Sequence, residues 1–310
     1  MQTSLNKKRK FLGRDKEKII SCYLILSIPI IGFLVFTLYP NLWAASKSFF
    51  YYTGTPSQTR FIGFENYARI FSSDKTYWKT WVNTFMFAIG KLPIELPLAM
   101  LIAVCLRGKL KGAGFYRTMY YLPCVISVAI VGLVFTNLFD YFGFINAWLI
   151  KLGFIQEPIE WFANYGTALF ALVIGAVWNT FGTNVLYFLA AMSNVPEELY
   201  ESAKLDGASG WTTFWKITLP MMSPVLQTIL LLSINGTIHT SDYILVTTNG
   251  APHGSTYTVM SYIVSKFVPG FAEASVNIGY GCAISIVTSI LMIIVALVYS
   301  KLSKKMQNIY

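Results

Sequence analysis

Polar side chains are sparse enough in this sequence for their spacing to carry meaning. Lys91 and Glu95 stand four residues apart in "GKLPIELP", flanked by Pro93 and Pro97, inside an apolar run. On one helical face they can neutralise each other as a structural pair or pass a coupled ion, and both readings stay open. Asn235, His239 and Asp242 follow at spacings of four and three, on one face of a continuous helix, with Thr237 and Ser241 nearby. Such a face can hydrogen-bond the hydroxyls of a sugar, or it can glue one helix to the next. "WNTFGTN" adds Asn179, Thr183 and Asn184, with Trp178 as a stacking platform for a pyranose face or as a packing aromatic.

A different chemistry is concentrated in "EELYESAKLDGASGWTTFWKITLP", from Glu197 to Pro220. It holds Glu197, Glu198, Glu201 and Asp206, four of the fourteen acids in the chain. "VPEELYESAKLDG" predicts a short helix: proline near its start, acids in the first turn where the helix dipole favours them, glycine at its end. Gly207 is expected to supply the positive φ that reverses the chain. "SGWTTFWKITLP" then resumes helical spacing through Trp211, Phe214 and Ile217, with Ser209 as the cap and Pro220 as the stop. Two short helices with an acidic and an aromatic edge suit a groove on a soluble partner, and equally an interfacial loop that only joins longer elements.

The longer elements are membrane spans. With 55% hydrophobic and 12% charged residues and a mean hydropathy of +0.54, the 310-residue chain carries about half the charge of a soluble domain. A crossing helix needs about 20 apolar residues, and six segments qualify: about 19–39, 84–106, 119–139, 167–192, 224–246 and 278–302. The first is too long for a signal-peptide core and lacks a small-residue cleavage site, so it is expected to stay as a span.

Lys and Arg set the orientation, because short cytoplasmic loops hold the excess. Sixteen lie on one side: seven in the tail 1–18, four after span two (Arg107, Lys109, Lys111, Arg117), two after span four (Lys204, Lys216) and three at the end (Lys301, Lys304, Lys305). Seven are spread over the longer loops opposite. Both termini, including the tail 303–310, and the polar loop 193–223 are therefore expected in the cytoplasm. Outer loops are expected at 40–83, 140–166 and 247–277, the last turn-rich in "TTNGAPHGSTYT".

The net charge of +10 comes from basic residues beside apolar runs, so it reads as topology and not as a nucleic-acid face. Cys22, Cys105, Cys124 and Cys282 lie in or at the edge of apolar segments without CxxC spacing, so neither a metal nor a disulfide is expected. The sequence has no G-x-x-x-x-G-K-[ST] stretch, no H-E-x-x-H around His239 or His253, and no G-x-S-x-G elbow. The chain is expected to bind no cofactor and to be no enzyme.

The stretch from Glu201 to Pro220 resembles the EAA loop of the membrane subunits of binding-protein-dependent ABC importers. The matching positions are Glu201, Ser202, Ala203, Gly207, Ile217, Leu219 and Pro220, with Ser202 where the family usually carries alanine. "FIGFENYARIF", "FYRTMYYLPCVISVAIVGLVF" and "NVPEELYESAKLDGAS" extend the resemblance over almost the whole chain. They resemble the carbohydrate-uptake branch, in subunits similar to the maltose-importer F protein. The resemblance implies an all-α integral membrane protein of the type I ABC importer fold, with six core spans.

It further implies that Glu201 meets a basic residue of a cytoplasmic ATPase dimer. Gly207, beside Asp206, would form the turn, and Leu219-Pro220 would anchor the loop to span five. The implied partners are a second homologous permease, that ATPase with its ATP and Mg, an extracytoplasmic solute-binding protein and a sugar or oligosaccharide. The implied place is a prokaryotic plasma membrane. Asn235, His239, Asp242, Trp178, Asn179 and Thr183 are the candidates for the sugar path, and the first and third outer loops for contact with the binding protein. Two rivals stay open: the same machine for phosphate, polyamine or peptide, and an ion-coupled carrier using Lys91, Glu95 and Asp242.

Overall fold

The computed structural model describes residues 2–108, 112–268 and 276–307, so Lys109, Lys111 and part of the third outer loop lie outside the described residues. The chain divides into two units. One comprises residues up to 68 with 277–286, and the other 69–276 with 287 onward.

In the first unit α1 (Gln2–Phe33), a π-helical turn (Leu34–Leu38) and α2 (Tyr39–Lys47) follow one another without a break. The stretch Lys18–Lys47 is long and apolar enough to cross a membrane. The sequence reading ends this span at Tyr39, yet the helix passes through Pro40. The π turn explains it. Tyr39 donates its N–H to the Leu34 carbonyl, five residues back, and the widened turn gives the proline ring room it lacks in a regular helix. Beyond α2, β1 (Phe50–Tyr51) pairs antiparallel with β2 (Arg60–Phe61). Asn66, in α3 (Glu65–Ser72), fastens the hairpin by donating from Nδ2 to the Ser48 and Phe50 carbonyls at 2.8 and 3.2 Å.

The second unit holds α4 (Lys75–Leu106), α5 (Ala113–Val125), α6 (Val128–Leu138), α7 (Phe144–Lys151), α8 (Tyr165–Ser193), α9 (Glu197–Leu205) and α10 (Gly210–Thr213). After a π turn (Phe214–Thr218) come α11 (Leu219–Ile238), α12 (Asp242–Thr247) and α13 (Val259–Phe267); α14 (Ile278–Gln307) contributes its part from 287. Among the described residues of the whole chain, five helical stretches can cross a membrane by length and composition, six if α5 and α6 count as one. The buried positions of α4 recur every three or four residues, from Tyr77 through Thr84, Phe87, Lys91, Glu95, Ala99 and Ala103 to Leu106, and make one stripe. Ala99 and Ala103, fully buried, let the backbone approach Val185 and Phe188 of α8 closely.

Further boundaries differ from the sequence reading. Span three is not one helix: α5 and α6 meet at 91°, with Ile126 and Ser127 in extended conformation. The β-branched run Val125, Ile126, Val128 weakens the helix locally, and α8 supports the break. Asn179 Nδ2 donates to the Pro123 carbonyl at 2.7 Å, and Gly182 has no Cβ to collide with the Tyr120 carbonyl. Span five ends at Ile238, eight residues before its expected end. The Thr240 carbonyl, beyond that end, accepts the Thr258 hydroxyl at 2.8 Å. Pro220, expected to stop a short helix, lies in the first turn of α11, directly after the second π turn. Leu219 there donates to the Phe214 carbonyl, the same device as at Pro40.

Candidate functional site

The polar loop of 193–223 is built from its helix ends. α9 closes with both hydrogen bonds of a Schellman turn: Ala208 N–H to the Ala203 carbonyl at 2.9 Å and Gly207 N–H to the Lys204 carbonyl at 3.2 Å. That geometry needs a left-handed residue, and Gly207 has φ +70°. Ser209 caps the next helix, its hydroxyl accepting the Thr212 N–H. Because the π turn carries the helix on into α11, the loop is one short helix, a reversal and the start of a long helix, not two short helices.

Side chains anchor the loop at its base. The Tyr200 ring lies under the Arg107 guanidinium, 3.5 Å from its carbon, and the Tyr200 hydroxyl lies 3.1 Å from Thr218 Oγ1. The end of α4, the middle of α9 and the entry to α11 are thus joined through one aromatic side chain. Ala203 is buried and Ile217 and Leu219 are half-buried. Glu201, Ser202, Asp206, Gly207 and Pro220 are exposed, together with Leu205 at 89% and Trp211 at 72%. Leu205 and the acids Glu197, Glu198, Glu201 and Asp206 are exposed on and beside the reversal, a surface suited to docking, while Trp211 packs against Trp215 at 5.5 Å between ring centres and borders an apolar groove along α4 with Leu101 and Cys105.

A second constellation sits among α4, α8 and α11. Lys91 Nζ is 2.9 Å from Glu95 Oε2 and donates to Thr237 Oγ1 at 3.2 Å. Thr237 donates to the Ser233 carbonyl at 2.7 Å, and Ser233 Oγ donates to Asn184 Oδ1 at 3.1 Å. Asn184 Nδ2 donates to Glu95 Oε1 at 2.8 Å, which closes a ring of five residues on three helices. Thr180 adds a donor to the same carboxylate oxygen at 2.7 Å. Lys91, Glu95, Asn184, Ser233 and Thr237 are all buried. Sequence reading picked out Lys91, Glu95, Thr237 and Asn184 but not Thr180 or Ser233. The available signal was the repetition of one spacing, since 91/95, 180/184 and 233/237 are three polar pairs four residues apart, each on one helical face.

The six path candidates do not form one site. Asn179 is buried and turned to the broken span. Trp178 is partly exposed and packs on Phe135 at 5.7 Å between ring centres; Thr183 is half-buried. Asn235 and His239 do share a face, joined through the Asn235 carbonyl 2.9 Å from His239 Nδ1. They border a cavity of about 290 Å³ between α11 and α14, with Leu231, Met292 and Tyr299. Asp242 is not on that face. The helix ends before it, and it opens α12, exposed, its Oδ1 accepting the Ser241 hydroxyl at 3.0 Å. The Lys91–Glu95 ring does not include it.

Comparison with known proteins gives a consistent picture. The family described as binding-protein-dependent transport system inner membrane component matches residues 95–308. The lactose transport system permease protein LacF of Rhizobium radiobacter is 34% identical over 247 residues, 78% of this chain and 82% of that one. The arabinooligosaccharides transport system permease protein AraP of Bacillus subtilis is 34% identical over 286 residues, 91% and 88% of the two chains. The trehalose/maltose transport system permease protein MalF of Thermococcus litoralis is 32% identical over 245 residues, 79% and 80%. A chain in the crystal structure of a bacterial ABC transporter involved in the import of the acidic polysaccharide alginate has the same fold. Its TM-score is 0.80 at 22% identity, over 95% of this chain and 98% of that one.

Proposed function

This chain belongs to the binding-protein-dependent transport system inner membrane components, and from that premise we propose how it works. It is a multi-pass, non-catalytic permease subunit of an ABC importer, and its cargo is a sugar or oligosaccharide. The observation that carries the cargo is the identity of 32–34% to permeases named for lactose, arabinooligosaccharides and trehalose/maltose, over four-fifths or more of their lengths.

The chain pairs with a second permease, both termini face the cytoplasm, and ATP and Mg reside on a separate ATPase dimer. The loop from Glu197 to Pro220 docks into that ATPase, with Glu201 toward a basic residue and Leu205 into apolar surface. Support comes from their exposure and from the Arg107–Tyr200–Thr218 anchor, which passes a push on α9 to α4 and α11. Asn235 and His239 are the path residues with open surface on a common face. Membership of this family disfavours the ion-coupled carrier, and Asp242 stands apart from Lys91 and Glu95.

The test is uptake into proteoliposomes holding the whole importer and its binding protein, with a panel of labelled mono- and oligosaccharides. Uptake of a saccharide that requires ATP and persists with uncoupler is the expected result. Uptake that continues without the ATPase and collapses with the ion gradient refutes the proposal.

A further inference from the structure

The coupling loop leaves a mechanical question. α9 is joined to α8 by three residues and to α11 through α10 and its π turn, so a thrust on α9 enters two helices at once. If α8 and α11 slid against each other, the thrust would be absorbed as slip. Apolar packing resists separation of helices, but it is not directional and fixes their axial register weakly. Directional hydrogen bonds fix it.

The ring of Lys91, Glu95, Asn184, Ser233 and Thr237 has the required form. α8 is tied to α11 by Ser233–Asn184 at 3.1 Å, α8 to α4 by Asn184–Glu95 at 2.8 Å, and α4 to α11 by Lys91–Thr237 at 3.2 Å. Every donation has one sense. An ionised carboxylate only accepts, so Asn184 must give its amide hydrogens to Glu95 and its oxygen to Ser233. The carboxylate accepts from Asn184 and Thr180 on Oε1, and its Oε2 lies 2.9 Å from the Lys91 ammonium as an ion pair without a hydrogen bond of its own, so the opposite charges cancel. Removing two charges from water is costly, and a buried ion pair is often no more stabilising than a well-packed apolar pair. Stability alone therefore does not account for it.

Resting on the transport function proposed above, we infer that Glu95, held by Lys91, is a positioning residue. It locks α8 and α11 in register across α4, so that movement of the coupling loop displaces both helices together.

The closing experiment uses the whole importer in proteoliposomes. Lys91→Met with Glu95→Leu removes the charges and leaves apolar volume. The expected result is retained assembly, a small loss of thermal stability because the buried Asn184 amide loses its acceptor, ATP hydrolysis that continues, and saccharide uptake per ATP lowered tenfold or more. Lys91→Glu with Glu95→Lys keeps a pair that Asn184 can serve by turning its amide, and uptake per ATP should return to within about threefold of the native value. Uptake per ATP unchanged in the apolar pair, or a swap no better than the apolar pair, overturns the inference.

A second measurement needs no transported solute. Spin labels at Tyr187 on α8 and Thr228 on α11, both exposed, go into a cysteine-free chain. Their separation should be the same without nucleotide and with ATP bound to a hydrolysis-deficient ATPase, and should broaden in the apolar variant. A native separation that changes on ATP binding overturns the inference. Should the apolar pair fail to assemble, Ser233→Ala with Thr237→Val cuts both ties of α11 while leaving the ion pair. It should lower uptake per ATP at least threefold and broaden the same distance; native values in both overturn the inference. A native importer that takes up no saccharide refutes the cargo, while the label distances still decide the ring.

Discussion

Replacing Gly207 separates two ways in which the proposed coupling through this loop can fail. The residue has φ +70°, and no atom lies within 4 Å of the position a Cβ would occupy. An alanine there has room, so its cost is the left-handed backbone alone, about 1–2 kcal/mol. That corresponds to roughly a five- to thirtyfold loss in the population of the intact turn. Asparagine enters the left-handed region far more easily, whereas β-branched valine is among the worst residues there. The two Schellman hydrogen bonds from Ala208 and Gly207 survive only while the turn does. The assay is uptake with ATP hydrolysis stimulated by the binding protein, in proteoliposomes with matched amounts of assembled importer. Asparagine should stay within about threefold of native, alanine should lose roughly five- to thirtyfold, and valine should be the least active. Asparagine as inactive as valine would refute the conformational reasoning, because collision with a partner would then be the cause. Full uptake with valine would remove the loop from the coupling route.

Other outcomes follow from single contacts. Tyr200→Phe removes the hydroxyl contact to Thr218 but keeps the ring under Arg107, so it should cost about 0.5–1.5 kcal/mol; Tyr200→Ala loses both and should lower uptake more, read by thermal unfolding in detergent and by transport. Asn179→Leu leaves the buried Pro123 carbonyl without its donor and should destabilise by about 1–3 kcal/mol; relative uptake of different saccharides should stay constant, and altered preference would return Asn179 to the path. Asn235→Ala and His239→Ala should change uptake non-additively, as neighbours on one face do. Asp242→Ala should add independently to either, and strong coupling of Asp242 with His239 in a double-mutant cycle would show that the helix end does not separate them.

The legible parts of this protein were those whose physics is local. Gly207 at the end of an acidic helix means a left-handed reversal, because few other residues take that backbone cheaply, and Ser209 means a cap for the same local reason. The apolar lengths of α4 and α8 follow from composition, although α4 starts nine residues before the expected boundary. Pro220 reads as a stop, and the first span reads as ending at Tyr39, yet a π turn before Pro40 and before Pro220 shifts the hydrogen-bond register, and nothing in "LVFTLYP" or "FWKITLP" announces that turn.

Sequence by itself determined that this is a membrane-spanning helical chain interrupted by a polar, glycine-reversed loop, since hydropathy and helix-end chemistry act within a few residues. The family is legible in the sequence as well, in a match that runs over residues 95–308. Tertiary structure decided the rest. The right-angle break at Ile126–Ser127 depends on a donor 56 positions away in sequence, from Asn179 to Pro123. The end of α11 at Ile238, which separates His239 from Asp242, leaves a carbonyl at Thr240 that Thr258 satisfies from beyond the next helix. The pair Lys91–Glu95 was visible, but its meaning came from Asn184, Ser233 and Thr237, whose convergence is a property of how three helices pack. A polar group's spacing along one helix fixes its face. Which partner that face meets depends on contacts between residues far apart in sequence.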